Sequence, residues 1–184
     1  MPEIPIFENL ETPRLKVRRL QPEDAAALSV YRSRPEVSLY QGWGDNYDEA
    51  QALKLIQNMQ DRNPGQPGWF QFALQEKETG ALLGDLGFHV FEPLQAEVGF
   101  TLDSRVWGKG YATEGLKAVL DYAFHVLFFH RITASTDPRN VPSQKVLLRL
   151  GFRHEGHHLE SYSDGENWLD EDRFALLRRE WREQ

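Results

Sequence analysis

Six residues in the middle of the chain, Arg105-Val106-Trp107-Gly108-Lys109-Gly110, have the makings of an anion cradle. Two glycines one residue apart let successive backbone N–H groups turn toward one point, with no Cβ in the way. Ahead of the loop, Ala96, Val98, Phe100 and Leu102 alternate with Glu97, Gly99 and Thr101, the period of a strand. Behind it, Ala112, Leu116, Val119, Leu120, Ala123 and Leu127 recur at helical spacing. The glycines therefore stand where a strand gives way to a helix. The first amides of that helix lack intrahelical partners, and its dipole makes that end positive. The ligand such a loop suits is a phosphate; the plainer alternative is a turn entering a core helix. A Walker loop needs Gly-Lys followed by Ser or Thr, whereas Gly110 follows Lys109. A dinucleotide fingerprint needs a third glycine where Thr113 stands.

Other residues invite other chemistry. His154, His157 and His158 could suggest a metal, but their stretch reads as a strand, and no metal site is expected. The chain has no cysteine, which removes disulfides, thiolate zinc sites and a Cys nucleophile. No motif resembles a nucleophile elbow. Glu97 lies on the strand face opposite Val98 and Phe100. In a partly dry cleft such a carboxylate has a raised pKa and can take a proton. Its alternative is a solvent-facing glutamate.

Arg105-x-x-Gly108-x-Gly110 resembles the acetyl-CoA pyrophosphate loop of the GNAT acetyltransferase superfamily. The longer string Trp107-Gly108-Lys109-Gly110-Tyr111-Ala112-Thr113-Glu114 is similar to the branch holding the ribosomal-protein N-terminal acetyltransferases. Downstream, Asn140-Val141-Pro142-Ser143, then Leu150-Gly151-Phe152, then Glu155-Gly156, resembles the family's second cofactor segment at the family's spacing. The resemblance covers roughly residues 11–182.

What the resemblance implies is transfer of an acetyl group from acetyl-CoA to a primary amine by direct attack in a ternary complex. The acceptor would be a protein N-terminus or a small-molecule amine. Amides of the loop from Trp107 to Ala112, with Thr113 at its end, would hold the pyrophosphate; Arg105 and Lys109 would add charge unless each is merely solvated. Backbone groups of Phe100, Thr101 and Leu102 would pair with the pantetheine arm. Asn140 and Ser143 would lie beside the cofactor, Asn140 doubling as a helix cap or serving only as one. Glu97 is one candidate base and Glu160, on the last hairpin, the other. Many members carry a tyrosine acid where this chain has Leu147, so Ser143 takes that place as proton donor to sulfur. Tyr111 has no clear chemical part. A noncatalytic acyl-CoA sensor on the same fold is the rival reading; it would keep Gly108, Gly110 and Asn140 without needing Glu97 or Ser143.

The elements that must position these groups follow in order. Arg14–Leu20 reads as a strand, Pro22–Ser33 as a helix, residues 35–47 as a loop, and Asp48-Glu49-Ala50-Gln51 as a capping box opening a second helix. Alternation through Phe70, Phe72 and Leu74, then Gly84, Leu86, Phe88 and Val90, gives two strands before the one at Ala96. Beyond the long helix come a strand at Arg131–Thr136, a short helix from about Pro142 to Gly151, and a hairpin, Phe152–Tyr162 with Trp168–Leu177. This order predicts one α/β domain over residues 1–184. The resemblance implies the GNAT fold: a mixed, mostly antiparallel sheet of about seven strands with about four helices, splayed at the acetyl-CoA cleft. Gly42–Tyr47, the first two helices and the Tyr162–Trp168 turn are expected to set specificity, with Trp43, Tyr47, Tyr162 and Trp168 either lining a cleft or packing in the core.

At 184 residues and 40% hydrophobic, the chain can bury a sizeable core. No apolar run reaches the roughly 18–20 residues that span a bilayer, and Met1–Pro5 lacks the features of a leader. A cytoplasmic protein with no membrane partner is expected, and a homodimer is compatible with it. The net charge of -7 weighs against a nucleic-acid partner and suits a cationic acceptor, or solubility alone.

Overall fold

The computed structural model describes residues 6–44 and 46–181. The leader reading at Met1–Pro5 and Asp45 of the specificity segment lie outside the described residues. Eight strands form one sheet: β1 (Asn9–Glu11), β2 (Leu15–Arg19), β3 (Gly68–Glu76), β4 (Leu82–Glu92), β5 (Gln95–Leu102), β6 (Arg131–Thr136), β7 (Arg153–Ser163) and β8 (Trp168–Leu177). Their order is β1-β2-β3-β4-β5-β6-β8-β7. Every pair is antiparallel except β5 with β6. A parallel pair needs a long crossover, and the long helix α4 (Tyr111–His125) supplies it.

The other α-helices described are α1 (Ala25–Arg32), α2 (Pro35–Ser38), α3 (Glu49–Met59), α5 (Val141–Arg149) and α6 (Arg178–Trp181). The expected mixed, mostly antiparallel sheet of about seven strands with about four helices is present, with eight strands and six α-helices among the described residues. The added pieces, β1, α2 and α6, are only three or four residues long, too short to show a period. The capping box before α3 is formed in both directions, Gln51 N–H to Asp48 Oδ1 at 2.8 Å and Asp48 N–H to Gln51 Oε1 at 2.9 Å.

Both faces of the sheet are covered. On one, Leu116, Val119, Leu120 and Phe124 of α4 pack against Leu15, Val17, Phe72, Leu74, Leu86 and Phe88. On the other, Leu28 and Tyr31 of α1 and Ala52 and Ile56 of α3 pack over Leu20 and Ala73. Each fully buried aliphatic or aromatic side chain contributes about 1.5–3 kcal/mol.

The sheet leaves no room where β4 meets β5. A Cβ on Gly84 would run into the Thr101 carbonyl oxygen and stand 2.9 Å from Leu102 Cα. Gly84→Ala is therefore expected to destabilise the fold by about 1–3 kcal/mol, read as a lower midpoint in urea unfolding.

Candidate functional site

Strands β5 and β6 pair for three residues only, Gln95 with Arg131, Ala96 with Ile132 and Glu97 with Thr133. Beyond that, β5 stays with β4 and β6 with β8. Between them opens a cavity of about 220 Å³, walled by Val98, Gly99 and Phe100 on one side and Ala134, Ser135 and Thr136 on the other. A Cβ on Gly99 would meet nothing within 4 Å. The splay expected of the fold is therefore present.

Each parting strand ends in the same device. After β5, Asp103 accepts from the Arg105 backbone N–H at 3.0 Å and from its guanidinium, Nη2 to Oδ2 at 2.6 Å. After β6, Asp137 accepts from the Arg139 backbone N–H at 2.8 Å and its Nη2 at 2.6 Å. Burial works to raise the Asp103 pKa, but the hydrogen bonds and charge of Arg105, with Arg34, outweigh it and the net shift is downward. The Arg139 hydrogen bonds hold Asp137 below its ordinary range. Arg105 thus spends its charge on Asp103 at the mouth of the loop, although its side chain stays 70% exposed.

The glycine loop follows. Gly108 (φ 74°) and Gly110 (φ 82°) adopt the left-handed conformation that glycine tolerates, and Gly110 is the N-cap of α4. A Cβ on Gly108 would stand in open space. These features fit the loop for a phosphate-bearing ligand at the N-terminus of a fifteen-residue helix. Trp107 folds back, its indole N–H on the Leu102 carbonyl at 3.0 Å. Lys109 stands between the glycines and Ala112 follows in the first turn of α4; Thr113 accepts from Arg149 at 3.5 Å, and Tyr111 donates to Glu76 at 2.5 Å and is buried.

The expected cavity residues divide. Phe100, Asn140 and Ser143 line it; Thr101 and Leu102 are buried in the sheet. Asn140 also caps α5, accepting from Ser143 N–H at 3.4 Å. Leu147 lies in the wall one turn beyond Ser143. Glu97 is half-buried at the last β5–β6 rung and is not in the wall. Glu160 is also absent from the wall: it sits with φ 45° in an irregularity of β7, its N–H donating to Asp170 Oδ1 at 2.8 Å.

The sequence reading missed the acids that do line the cavity, Asp137, Asp164, Asp170 and Glu171. Among the described residues, none that lines it is lysine or arginine. Along β8, Glu171 is in phase with Arg173 and Ala175, which pair with Ser135 and Thr133. It therefore shares the sheet face of Glu97 and Gly99.

The three histidines do not converge on a metal. His157 bridges Asp172 Oδ1 at 2.8 Å and Asp170 Oδ2 at 3.2 Å, and His154 Nε2 stands 3.2 Å from Asp172. The Asp172 hydrogen bond, aided by Asp170, raises the His157 pKa. These contacts stitch the β7–β8 hairpin. Among the described residues no group of three or more such side chains is arranged to hold a metal.

Of the four aromatic candidates, Tyr162 lines the cavity, Trp168 is exposed, and Trp43 and Tyr47 pack elsewhere. The Arg32 guanidinium lies 4.2 Å from the Trp43 ring and 5.0 Å from that of Tyr47. It pairs with fully buried Asp85 at 2.5 Å, and Asp85 also accepts from Tyr31 and Gln71. Burial, then the Asp85 charge, pushes the Tyr31 hydroxyl well above its ordinary pKa, so it stays a donor. Asp85→Ala would leave Arg32 charged and unpaired in the interior, at a cost of about 3–5 kcal/mol. Replacing both, as Arg32→Met with Asp85→Leu, should cost less. Denaturant unfolding of the two variants checks this.

Residues 14–153 match the acetyltransferase (GNAT) domain family. The chain is 38% identical over 179 residues to the N-acetyltransferase p20 of Bacillus licheniformis, itself uncharacterized, covering 95% of this chain and 99% of that one. It is 28% identical over 179 residues to the [ribosomal protein uS5]-alanine N-acetyltransferase of Escherichia coli, covering 94% and 92%. The crystal structure of a GNAT-family acetyltransferase from Bacillus anthracis superimposes with a TM-score of 0.84 at 28% identity, over 94% of this chain and 99% of that one.

Proposed function

The chain belongs to the GNAT acetyltransferase family, and from that premise we propose that it moves the acetyl group of acetyl-CoA onto a cationic primary amine by direct attack in a ternary complex. The observation that carries this is the cavity between β5 and β6, open to the glycine loop's strand on one side and walled by carboxylates on the other. We take the described chain as one catalytic unit, because the sheet runs unbroken from Asn9 to Leu177.

In this reading the amides from Trp107 to Ala112 hold the pyrophosphate, with Lys109 and Thr113 beside it. Backbone groups of Phe100, Thr101 and Leu102 that have left the β6 ladder take the pantetheine arm as a further strand would. Acetyl-CoA supplies the acetyl group as a thioester. Carboxylates at Asp164, Asp170 and Glu171 draw an ammonium into the cavity. The amine must shed a proton before its nitrogen has a lone pair, and Glu171, in the wall on the face of Gly99, is the acceptor of that proton. Glu97, at the last paired rung of the same face, is the second carboxylate able to serve through water. Glu160 shapes the hairpin instead. As the C–N bond forms and the C–S bond breaks, the Ser143 hydroxyl donates to the departing sulfur. The relative from Escherichia coli is named for an alanine of ribosomal protein uS5, which supports a protein or peptide amine as one acceptor; a small diamine satisfies the same wall.

The test is thiol release from acetyl-CoA with a panel of amines and short peptides, beside calorimetric titration of acetyl-CoA. Thiol release and acetylated product with one amine class are expected. Glu171→Gln should lower kcat/KM by about a hundredfold with acetyl-CoA affinity unchanged, and Glu160→Gln should stay near wild type. Full activity of Glu171→Gln with loss in Glu97→Gln would move the base to Glu97. Acetyl-CoA binding with no turnover on any acceptor would favour a sensor.

A further inference from the structure

We propose that Arg14 is a positioning residue for phosphate binding: its guanidinium fixes the glycine loop from behind and neutralises Glu114, a carboxylate in the first turn of the helix whose N-terminus receives the pyrophosphate. This rests on the reading of that loop given above.

Glu114 presents a contradiction. An acid in the first turn stabilises a helix standing alone. At a helix that binds an anion, the same charge opposes the ligand. The structure resolves it with Arg14, which lies in the connection between β1 and β2, about one hundred residues away in sequence. Arg14 Nε donates to Glu114 Oε2 at 2.6 Å and its backbone N–H to Oε1 at 2.8 Å. Thr12 Oγ1 donates to the same Oε1 at 2.6 Å. The carboxylate is thereby turned toward the β1–β2 connection.

The same guanidinium reaches the loop. Arg14 Nη1 donates to the Lys109 carbonyl at 2.9 Å, so one peptide between the two glycines is held with its oxygen pointing backward. The guanidinium also lies 4.2 Å from the centre of the Tyr111 ring, and Nη2 stands 3.4 Å from where a Cβ on Gly110 would be. One side chain thus grips Lys109, Tyr111 and Glu114 across the loop and the first helical turn. Its side chain is 44% exposed, and exposed ion pairs contribute little to stability. The consequence of this arrangement falls on loop geometry and local charge rather than on holding the fold together.

A double-mutant cycle tests it, with acetyl-CoA Kd measured by calorimetry and Tm measured for every variant. Arg14→Met should raise Kd about tenfold with only a small fall in Tm, and added salt should reduce the penalty. Glu114→Gln alone should bind at least as tightly as wild type. The double variant should recover about threefold of the Arg14→Met loss, because the unpaired carboxylate is gone. Arg14→Lys keeps the charge without spanning both partners and should fall between. An Arg14→Met protein that binds like wild type, or a double variant no better than Arg14→Met, overturns the proposal. A wild-type chain that does not bind acetyl-CoA overturns the loop reading itself, and Arg14's part with it.

Discussion

Backbone amides that leave a sheet ladder must be satisfied elsewhere, and β5 and β6 leave theirs after three residues. Each strand keeps its outer neighbour, β4 on one side and β8 on the other, so the gap has two stiff walls. Both walls are then pinned at their far ends by an Asp-x-Arg turn, Asp103 with Arg105 and Asp137 with Arg139. Helix α4 crosses behind the gap and α5 closes one side of it. The buried Arg32–Asp85 pair ties α1, and with it the Trp43 segment, to the middle of β4.

How far this was legible in the sequence depended on whether a feature was local. The glycine loop was legible because its signal is compact: a change of period from two to 3.6 with glycines at the change. Strand β6 was read to the residue for the same reason, since alternation and flanking turns define it. The parting of β5 from β6 came only from family resemblance, because pairing between residues about 35 apart leaves no mark in either strand alone. Even within β5 the alternation fails near its end, where Thr101 is buried beside Asp85 and Phe100 is only half-buried against the cavity. A strand that borders a gap no longer has one wet and one dry face.

Hairpin β7–β8 shows the same limit more sharply. Counting outward from the Asp164-Gly165 turn assumes a regular ladder, and the ladder is interrupted between His158 and Tyr162. Glu160 takes a positive φ there, with its amide held by the Asp170 carboxylate. The interruption moves β7 side chains relative to the cavity while β8, still paired regularly with β6, carries Glu171 into the wall. The strand with the family-like glutamate and the strand that delivers the carboxylate are therefore different strands. Trp43 and Tyr47 were open between cleft and core, and the buried cation at Arg32 decides for core, because desolvating a guanidinium is tolerable only with partners on every side.

Net charge says little about either ligand, but the distribution of charge says more. The chain sets a helix N-terminus and glycine amides after β5, and carboxylates in the wall of the gap, where among the described residues no lysine or arginine lies. In the function proposed above, the former would attract the phosphates of the donor and the latter the ammonium of the acceptor. This separation works only if negative charge is kept away from the phosphate end. Asp103 and Glu114 lie at the strand and helix ends that flank the loop, and each is matched by an arginine, Arg105 and Arg14 in turn. In the hairpin wall Asp170 faces a histidine, Asp164 is bonded to backbone amides of its own turn, and Glu171 accepts from Ser161 at 3.0 Å with the Arg173 guanidinium 3.6 Å away.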